Sequence, residues 1–468
     1  MRDSLLHYFY GFLPAHQPMM ARPSYRRELV ASCAFPVGRA LIEGGVVGVL
    51  AKFLFNVSEF QFATILAAPM FANLTSGLWA RLTHGRRKAV FIAGLQSALM
   101  LLIASIAWLP TTRAGGGALV LIVILARCLI AGIVTLQSVI WRANYRRDTR
   151  AQVTGRFTVI TAVVVAAAPL IAYRMLDYNP NLFRVIYPVG AVVGSISVVA
   201  MASLRVRRER SLLDYERTEH REPFPDEDPA DPFTAKRVGF IEVLRHDHLF
   251  RQYMTWQFVA GMANITGNVA VLRLILHVIE DARPANPGSA DTAASGFALG
   301  TLLTTSLPMI MMTISIPFWA RYLDRVHIAT FRTRHGFLWI VSQVLYFLVA
   351  LAPTPLLFIV PRMLQGVIFG GGSLAWQLGH HDFADRKLAA TYMGIHQTLT
   401  GVRGATAPYL GVFLLAGWTE SHIFGLHLPA WSGIGPWVFA LTAGLALIAW
   451  LGFVRLDRKI RRDGPAAR

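Results

Sequence analysis

Charge is scarce in this sequence. Asp, Glu, Lys and Arg together make up 15% of its 468 residues, while 54% of the residues are hydrophobic. A soluble domain carries about 25% charged residues, so this chain lacks the charged surface of a water-soluble protein. The composition therefore excludes an ordinary soluble domain and predicts an integral membrane protein.

Acidic residues are especially rare, since 26 Asp and Glu stand against 45 Lys and Arg and give a formal net charge of +19. Such an excess is typical of nucleic-acid binding when the basic residues gather on one water-facing domain. Here they occur in short clusters between apolar runs. We therefore expect no nucleic-acid partner, and we interpret the clusters as basic loops that border a lipid bilayer.

Cysteine is almost absent. Cys33 and Cys128 are the two cysteines of the chain, and both lie in apolar runs. They form no CxxC pair, so the sequence predicts neither a disulfide framework nor a cysteine metal site. We interpret both as small buried hydrophobic residues.

The sequence also lacks the common motifs of enzymes. It contains no HExxH metal motif, no GxSxG nucleophile motif and no Walker phosphate-binding loop. The glycine runs at 115–117 and 370–372 lack the Lys and Ser/Thr that phosphate binding needs. His380, His381 and Asp382 are interpreted as a solvated loop rather than a metal site. We therefore predict no enzyme activity, no cofactor and no bound metal.

Twelve segments are apolar over about the 20 residues that a membrane-spanning helix needs. We number them spans 1 to 12: 29–53, 58–80, 88–110, 117–141, 151–175, 184–204, 251–278, 296–320, 332–352, 355–378, 388–417 and 434–455. Arg and Lys concentrate in every second loop, beginning with the segment before span 1. Because these residues mark the cytoplasmic side, we predict two cytoplasmic termini, and we expect a bacterial cytoplasmic (inner) membrane.

The spans form two sets of six. The predicted divisions are a cytoplasmic N-terminal segment at 1–28, a first six-helix half at 29–204, a cytoplasmic linker at 205–250, a second half at 251–455 and a basic cytoplasmic tail at 456–468. The N-terminal segment is either an interfacial helix, with Leu5, Leu6, Phe9 and Phe12 toward lipid, or a disordered tail. The charged, Pro-rich linker is interpreted as flexible.

Short patterns recur between the two halves. Trp-Ala-Arg occurs near the end of span 2, at Trp79, and near the end of span 8, at Trp319. An arginine recurs in spans 4 and 10, at Arg127 and Arg362, each 14 residues before a tryptophan. Matches 225 to 240 residues apart follow one another in order along the chain. They predict two halves in the same orientation, related by an axis along the membrane normal.

Two loop motifs carry a family resemblance. After span 2, GRRK begins with Gly85, Arg86 and Arg87, and after span 8 the chain has Asp324 and Arg325. These stretches resemble parts of Gly-x-x-x-Asp-Arg-x-Gly-Arg-Arg/Lys, a motif of the major facilitator superfamily. The first copy lacks the Asp, and the second lacks the following Gly. The resemblance implies that these five residues belong to gating loops.

A second motif supports the same resemblance. The family's Arg-x-x-Gln-Gly occurs in span 10 as Arg362, Gln365 and Gly366, and RCLIAG at 127–132 is a weaker copy in span 4. The resemblance covers nearly the whole chain. It implies an all-α integral membrane fold of twelve transmembrane helices in two pseudo-symmetric six-helix bundles. It also implies a secondary active transporter that works by alternating access, with the subfamily left open.

Ionisable residues inside the spans are the first candidates for a site, because a charge at the bilayer centre costs at least about 2.5–3.5 kcal/mol. Arg39 and Glu43 lie four residues apart in span 1 and are predicted to pair on one helix face. The repeat places Asn264 and Asn268 of span 7 at equivalent positions. Each pair has two interpretations: it lines a solute cavity, with Glu43 as the proton-coupling carboxylate, or it holds helices together.

Six more candidates lie in spans 4, 10 and 11: Arg127, Arg362, Gln365, His396, Thr400 and Arg403. The arginines of spans 4 and 10 either bind an anionic group through both guanidinium branches or cap backbone carbonyls. The three residues of span 11 share one face, because seven residues make about two helical turns. The histidine among them is either a titrating group or a hydrogen-bonded packing residue.

Arginines outnumber carboxylates inside the spans, which favours an anionic or zwitterionic organic solute. We therefore expect a secondary transporter for a small molecule, working as a monomer in the lipid bilayer. Protons are the second partner that we consider, coupled through Glu43. The alternative is a transporter-like assembly or delivery factor for another membrane component, without transport activity, which the incomplete loop motifs permit.

Overall fold

The computed structural model describes residues 13–17, 19–75, 78–79, 82–83, 85–145, 147–211, 213, 240–282, 296–379, 382–383, 389–418, 421–423 and 426–463. The proposed interfacial helix with Leu5, Leu6, Phe9 and Phe12 lies outside the described residues. Most of the predicted linker, and His380 and His381, lie outside them as well.

Long helices make up the described chain, as its apolar segments predict. In span order they are Arg22–Ala40 with Gly44–Phe53, Glu59–Leu74, Lys88–Ser105, Arg113–Asn144, Arg147–Tyr178, Phe183–Ala202, His248–Asp281, Gly296–Thr301 with Leu302–Ser306 and Leu307–Leu323, Ile328–Leu351, Ile359–Leu378, Ala389–Ala416 and Trp437–Asp463. Within the described ranges, eleven helices are long and apolar enough to cross a membrane. Span 2 is the exception, because its helix has 16 residues. The predicted helical membrane fold is confirmed.

Shorter elements precede or connect the spans. Among the described residues they are a 3-10 turn before span 1, at Pro14–His16, three more 3-10 turns, at Ile106–Trp108, Pro180–Leu182 and Pro355–Phe358, and a short helix, Phe240–His246, before span 7. A small antiparallel hairpin, in which Ser421–Ile423 pairs with Leu426–Leu428, lies between spans 11 and 12. The hairpin is continued by a bridge between Trp418 and Trp431, whose rings lie 4.7 Å apart.

Polar side chains fix where several spans begin. Asp247 Oδ1 accepts a hydrogen bond from Phe250 N at 2.8 Å at the start of span 7. Asp382 Oδ2 accepts one from Ile328 N at 2.7 Å at the start of span 9. Each bond satisfies a backbone donor that the first turn of a helix leaves free. Asp382, interpreted from the sequence as part of a solvated loop, therefore has a defined role as a helix cap.

Span 1 is broken near its middle, where the sequence predicted one continuous helix. Helix Arg22–Ala40 ends, residues 41–43 form a turn, and helix Gly44–Phe53 follows. In the turn, Leu41 N bonds to Gly38 O at 3.1 Å and Glu43 N bonds to Ala40 O at 3.1 Å. These bonds reach back three residues rather than four. A break of this kind at membrane depth is tolerated where other groups satisfy the freed carbonyls.

The Cα positions divide into two compact units. The first contains the described residues within Met1–Val47 and Phe71–Asp226, and the second those within Gly48–Met70 and Glu227–Arg468. The sequence placed residues 48–70 in the first half, whereas their contacts group them with the second unit.

In the first unit, span 1 packs against spans 5 and 6, and span 3 packs against spans 4 and 6. Spans 1 and 6 approach closely at two glycines, because a Cβ added to Gly38 would lie 2.9 Å from Gly190 O. Any larger residue at Gly38 would push these helices apart. Cys33, expected to be buried, is exposed, and Cys128 is half-buried.

In the second unit, span 7 packs against spans 11 and 12, span 8 against span 10, and span 9 against span 12. A Cβ added to Gly370 would lie 2.2 Å from Ser315 Oγ, and one added to Gly371 would lie 2.9 Å from the Trp319 ring. The glycine run of span 10 therefore serves close packing against span 8. The Trp319 indole donates a hydrogen bond to Val367 O at 2.8 Å. The second copy of Trp-Ala-Arg therefore also links span 8 to span 10.

Candidate functional site

The break in span 1 holds an ion-pair network within the first unit. Glu43 Oε1 lies 3.1 Å from Arg39 Nη2, and Glu43 Oε2 lies 2.9 Å from Arg127 Nη2. The same Arg127 nitrogen donates to Ile42 O at 2.8 Å, a carbonyl of the broken turn. Arg127 thus donates hydrogen bonds both to a backbone carbonyl in the break and to the Glu43 carboxylate. The structure brings these three predicted site residues into one cluster, with two guanidinium groups on one carboxylate.

The second unit holds its own network around Arg362, which is 1% exposed. Its Nε donates to Leu303 O at 2.6 Å, and its Nη2 donates to Thr304 O at 2.6 Å. Both carbonyls belong to Leu302–Ser306, a π-helical turn inside span 8. Such turns displace carbonyls from the regular helical ladder and are frequent at functional sites. Arg362 therefore caps carbonyls, which was one of the two interpretations of this residue.

Amide side chains complete the network around Arg362. Its Nη1 donates to Asn268 Oδ1 at 3.3 Å and to Gln365 Oε1. Gln365 Nε2 donates to Asn268 Oδ1 at 2.9 Å, and Tyr346 OH donates to Gln365 Oε1 at 2.5 Å. The second copy of the family's Arg-x-x-Gln motif is thus tied to span 7. Asn264 is not part of this network, and its Oδ1 is buried without a hydrogen-bond donor among the described residues.

The two networks occupy equivalent places in the repeat. In the first unit an arginine of span 4, Arg127, contacts Glu43 of span 1. In the second unit the matching arginine of span 10, Arg362, contacts Asn268 of span 7. The register predicted from the repeat pairs the same residues. The carboxylate of the first copy is an amide in the second, so the second arginine is bound by carbonyl oxygens rather than by an opposite charge.

The predicted polar face of span 11 forms a third cluster. Arg403 Nη1 donates to Gln257 O at 2.6 Å, and its Nη2 donates to Thr400 Oγ1 at 3.2 Å. Trp376 Nε1 donates to the same Thr400 oxygen at 3.3 Å. His396 is fully buried, and its ring lies edge-on to Trp376 with centroids 5.7 Å apart. The three predicted residues of span 11 are therefore close together beside span 10.

The predicted gating residues lie in two turns. Gly85 has a φ of +66°, a left-handed conformation that favours glycine. Arg87 Nε contacts Glu209 Oε2 at 3.3 Å, while Arg86 bonds through its backbone to Thr83 O.

The second turn ends span 8. Asp324 N bonds to Ala320 O at 3.0 Å, and Arg325 N bonds to Tyr322 O at 3.1 Å. These are backbone contacts, so the structure gives this Asp-Arg pair a helix-terminating position.

Glu28 is a buried carboxylate that the sequence did not indicate, because it lies among charged residues just before predicted span 1. Glu28 is 2% exposed. It accepts hydrogen bonds from Trp141 Nε1 at 2.5 Å and from Tyr145 OH at 3.0 Å. No cationic side chain among the described residues forms an ion pair with it. Burial and the Glu28 carboxylate raise the pKa of Tyr145, so this phenol stays protonated and donates.

Arg332 was missed for the same reason as Glu28. Both residues stand beside other charged residues at the edge of an apolar run, Glu28 just before span 1 and Arg332 at the first residue of span 9. Helix Arg22–Ala40 and helix Ile328–Leu351 begin several residues before them. Arg332 is 7% exposed, and its Nε and Nη2 have no hydrogen-bond partner among the described residues. The signal that could have identified them is the periodicity of the helix, which extends to residues before the start of each apolar run and turns these side chains inward.

A third missed group joins Lys52, Glu59 and Arg273 within the second unit. Lys52 Nζ lies 2.7 Å from Glu59 Oε1, and Arg273 Nε lies 2.9 and 2.8 Å from the two Glu59 oxygens. Glu59 lies at the beginning of predicted span 2 and is the first residue of helix Glu59–Leu74. Its two cationic partners come from spans 1 and 7. Lys52 is seven residues from Glu59, whereas Arg273 is 214 residues away, so the complete cluster is not evident from neighbouring positions in the sequence.

The sequence model that describes the Major Facilitator Superfamily matches residues 31–279 of this chain, a little more than half of its length. No curated protein sequence matches the chain. The match includes the network around Glu43 and also Asn268 of span 7.

Several solved structures share the fold. A mutant of the nucleoside transporter NupG superposes with a TM-score of 0.62 at 13% identity, covering 93% of this chain and 99% of that one. A POT family transporter in complex with a thioalcohol-conjugated peptide gives 0.62 at 13% identity, with coverage of 93% and 96%. The inward-open xylose transporter XylE from E. coli gives 0.55 at 11% identity, with coverage of 91% and 94%. At these identities the similarity concerns the fold alone.

Proposed function

Because the chain belongs to the major facilitator superfamily of membrane transporters, we propose that it moves a small anionic or zwitterionic organic solute by alternating access. The family makes the protein a multi-pass membrane transporter rather than an enzyme. Two elements of this function are proposals: that the solute is anionic or zwitterionic, and that protons are the coupling ion. The observation that supports an anionic group is the set of buried arginines in the second unit.

Three arginines of this unit are buried: Arg332 and Arg403 are 7% and 5% exposed, and Arg362 is 1% exposed. No Asp or Glu of the described residues forms an ion pair with any of them. An uncompensated charge inside a membrane protein is costly and is usually functional. Arg362 donates hydrogen bonds through all three of its nitrogens. In contrast, the Nε of Arg403 and the Nε and Nη2 of Arg332 are buried without a hydrogen-bond partner among the described residues, so these two arginines are the proposed source of positive potential. A carboxylate or phosphate of a solute would supply the missing negative charge.

We expect Arg403→Gln to lower uptake of an anionic substrate by at least about 30-fold, because losing one partner of a buried charge pair costs about 2–5 kcal/mol. The measurement is uptake into proteoliposomes of radiolabelled carboxylates, amino acids and neutral sugars of similar size. Arg334→Gln is the matched control, since it removes one charge at an exposed position of span 9.

Two results would count against this proposal. If a neutral sugar is transported and no anion is, the solute is not anionic. If Arg403→Gln and Arg334→Gln transport an anion equally well, the buried charge does not contribute. A well-folded protein that transports no member of the panel would favour the alternative, an assembly or delivery factor without transport activity.

Proton coupling is the second proposed element, and the contacts favour Glu28 over Glu43 as the coupling carboxylate. Glu43 is held between two guanidinium groups, which stabilise its charged form. Glu28 accepts hydrogen bonds from two neutral donors and forms no ion pair among the described residues. A buried carboxylate without a cation takes up a proton at a lower cost.

We expect Glu28→Gln to abolish accumulation driven by a proton gradient while it preserves exchange of solute between equal concentrations. The reason is that a glutamine keeps acceptor capacity toward Trp141 and Tyr145 but carries no titrating group. Glu242→Gln, at an exposed position before span 7, is the control. Accumulation that persists in Glu28→Gln would exclude coupling through this residue.

A further inference from the structure

A cavity of about 850 Å³ lies in the first unit, between the beginning of span 1 and the end of span 6. Its polar end is formed by Arg22, Arg26 and Arg27 of span 1, and none of its lining residues is acidic. Its volume is within the range of sites that hold small organic ligands, about 300–1,000 Å³. The cavity is separate from the networks around Glu43 and Glu28, and nothing in the proposed function uses it.

The three arginines retain free hydrogen-bonding capacity. Arg22 and Arg26 are exposed, and Arg22 Nε donates to Gln17 O at 2.9 Å. Arg27 Nη1 is buried and has no hydrogen-bond partner among the described residues. No carboxylate of the described residues pairs with any of the three. The guanidinium group is well suited to bind phosphate oxygens through two nitrogens, so this end of the cavity suits a phosphate group.

The other end of the cavity is apolar. Val30 of span 1 and Ile196 and Val199 of span 6 line it, and all three are exposed on helices that can cross a membrane. An apolar side chain that is exposed on a membrane-spanning helix is in a position to contact lipid chains. With a rise of 1.5 Å per residue, Val30 lies about 12 Å farther along span 1 than Arg22. The cavity therefore combines a cationic end and an apolar end at the spacing of a lipid headgroup and its first acyl carbons.

We propose that this cavity is a binding site for an anionic phospholipid, with the phosphate on the three arginines and an acyl chain along Val30, Ile196 and Val199. A zwitterionic lipid offers the same phosphate but adds a cation that the arginines repel. A free organic phosphate offers the charge but leaves the apolar wall in contact with water. Basic pockets between membrane helices are known to take anionic headgroups, and here the charge and the apolar wall both select such a lipid.

The test is lipid binding to the purified full-length protein in detergent, measured by native mass spectrometry. The three probes are dioleoyl phosphatidylglycerol, dioleoyl phosphatidylcholine and glycerol 1-phosphate. We expect phosphatidylglycerol to be retained in preference to both other probes. Arg26→Gln with Arg27→Gln should weaken its binding by about 25-fold, because each basic residue near an anionic surface contributes about fivefold.

Two further variants separate a built site from general attraction to charge. Arg458→Gln with Arg462→Gln removes two exposed cations from the end of span 12 and should leave binding unchanged. Val30→Trp changes no charge but fills the apolar end of the cavity, and it should weaken phosphatidylglycerol binding. Equal losses in the two arginine double variants, no loss in Val30→Trp, or equally tight binding of glycerol 1-phosphate would each overturn the proposal.

Discussion

Replacing Glu43 by Gln is expected to destabilise the protein by about 3–5 kcal/mol, because it leaves a buried guanidinium group without its opposite charge. The Arg127 side chain is 6% exposed, whereas that of Arg39 is 27% exposed, so most of the cost falls on Arg127. The measurement is the midpoint of thermal unfolding of the purified protein in detergent. Glu242→Gln, which removes a carboxylate from an exposed position, should have no comparable effect.

A double variant identifies the cause of the loss. Glu43→Gln combined with Arg127→Met removes both the carboxylate and its buried partner, so we expect it to be more stable than Glu43→Gln alone. The recovery should be incomplete, because Ile42 O also loses its donor. A double variant less stable than either single variant would show that the two charges act separately and would contradict a coupled network of Glu43 and Arg127.

Replacing Arg362 by Met is expected to destabilise the second unit by about 3–6 kcal/mol, since two hydrogen bonds from a charged donor each contribute about 1.5–3 kcal/mol. The carbonyls of Leu303 and Thr304 would lose their donors inside the protein. Arg362→Lys should recover little of this stability, because the two carbonyls are bound by different nitrogens of a planar group. Thermal unfolding again provides the measurement.

Arg334→Met is the control for Arg362→Met, because Arg334 is exposed and lies over the Tyr322 ring at 5.1 Å. We expect a change of at most about 1 kcal/mol there, the usual contribution of an exposed cation–π contact. If Arg362→Lys proved as stable as the original protein, a point charge would suffice. The π-helical turn would then not depend on the shape of the guanidinium group.

The fold followed from the sequence because a membrane imposes length and apolarity on every span. The pairing of Arg39 with Glu43 and the matching of Arg127 with Arg362 also followed, since charges inside spans are few and the repeat fixed their register. The break in span 1 was not predicted from the sequence. The carbonyl of Ile42, in the turn at residues 41–43, accepts a hydrogen bond from Arg127, which is 85 residues away, so this contact at the break is remote in the sequence.

Glu28 and Arg332 mark another limit of prediction from the sequence. Each is a charged residue next to other charged residues, and such a cluster ordinarily lies in water. The structure buries one member of each cluster because the helix continues beyond its apolar segment and turns that side chain inward. Which residue turns inward depends on where the helix begins, and this boundary is set by neighbours such as Asp382, whose carboxylate bonds to Ile328 N.

The π-helical turn in span 8 has a consequence for the orientation of that helix. It holds one residue more than an α-helical turn would, so the residues after Ser306 are rotated by about 100° relative to a continuous α-helix. Met311, which follows the turn, lies against Gly366 of span 10. In a continuous α-helix without the extra residue, its side chain would lie on a different side of span 8. A single inserted residue, retained because Arg362 holds its displaced carbonyls, decides which side of span 8 faces span 10.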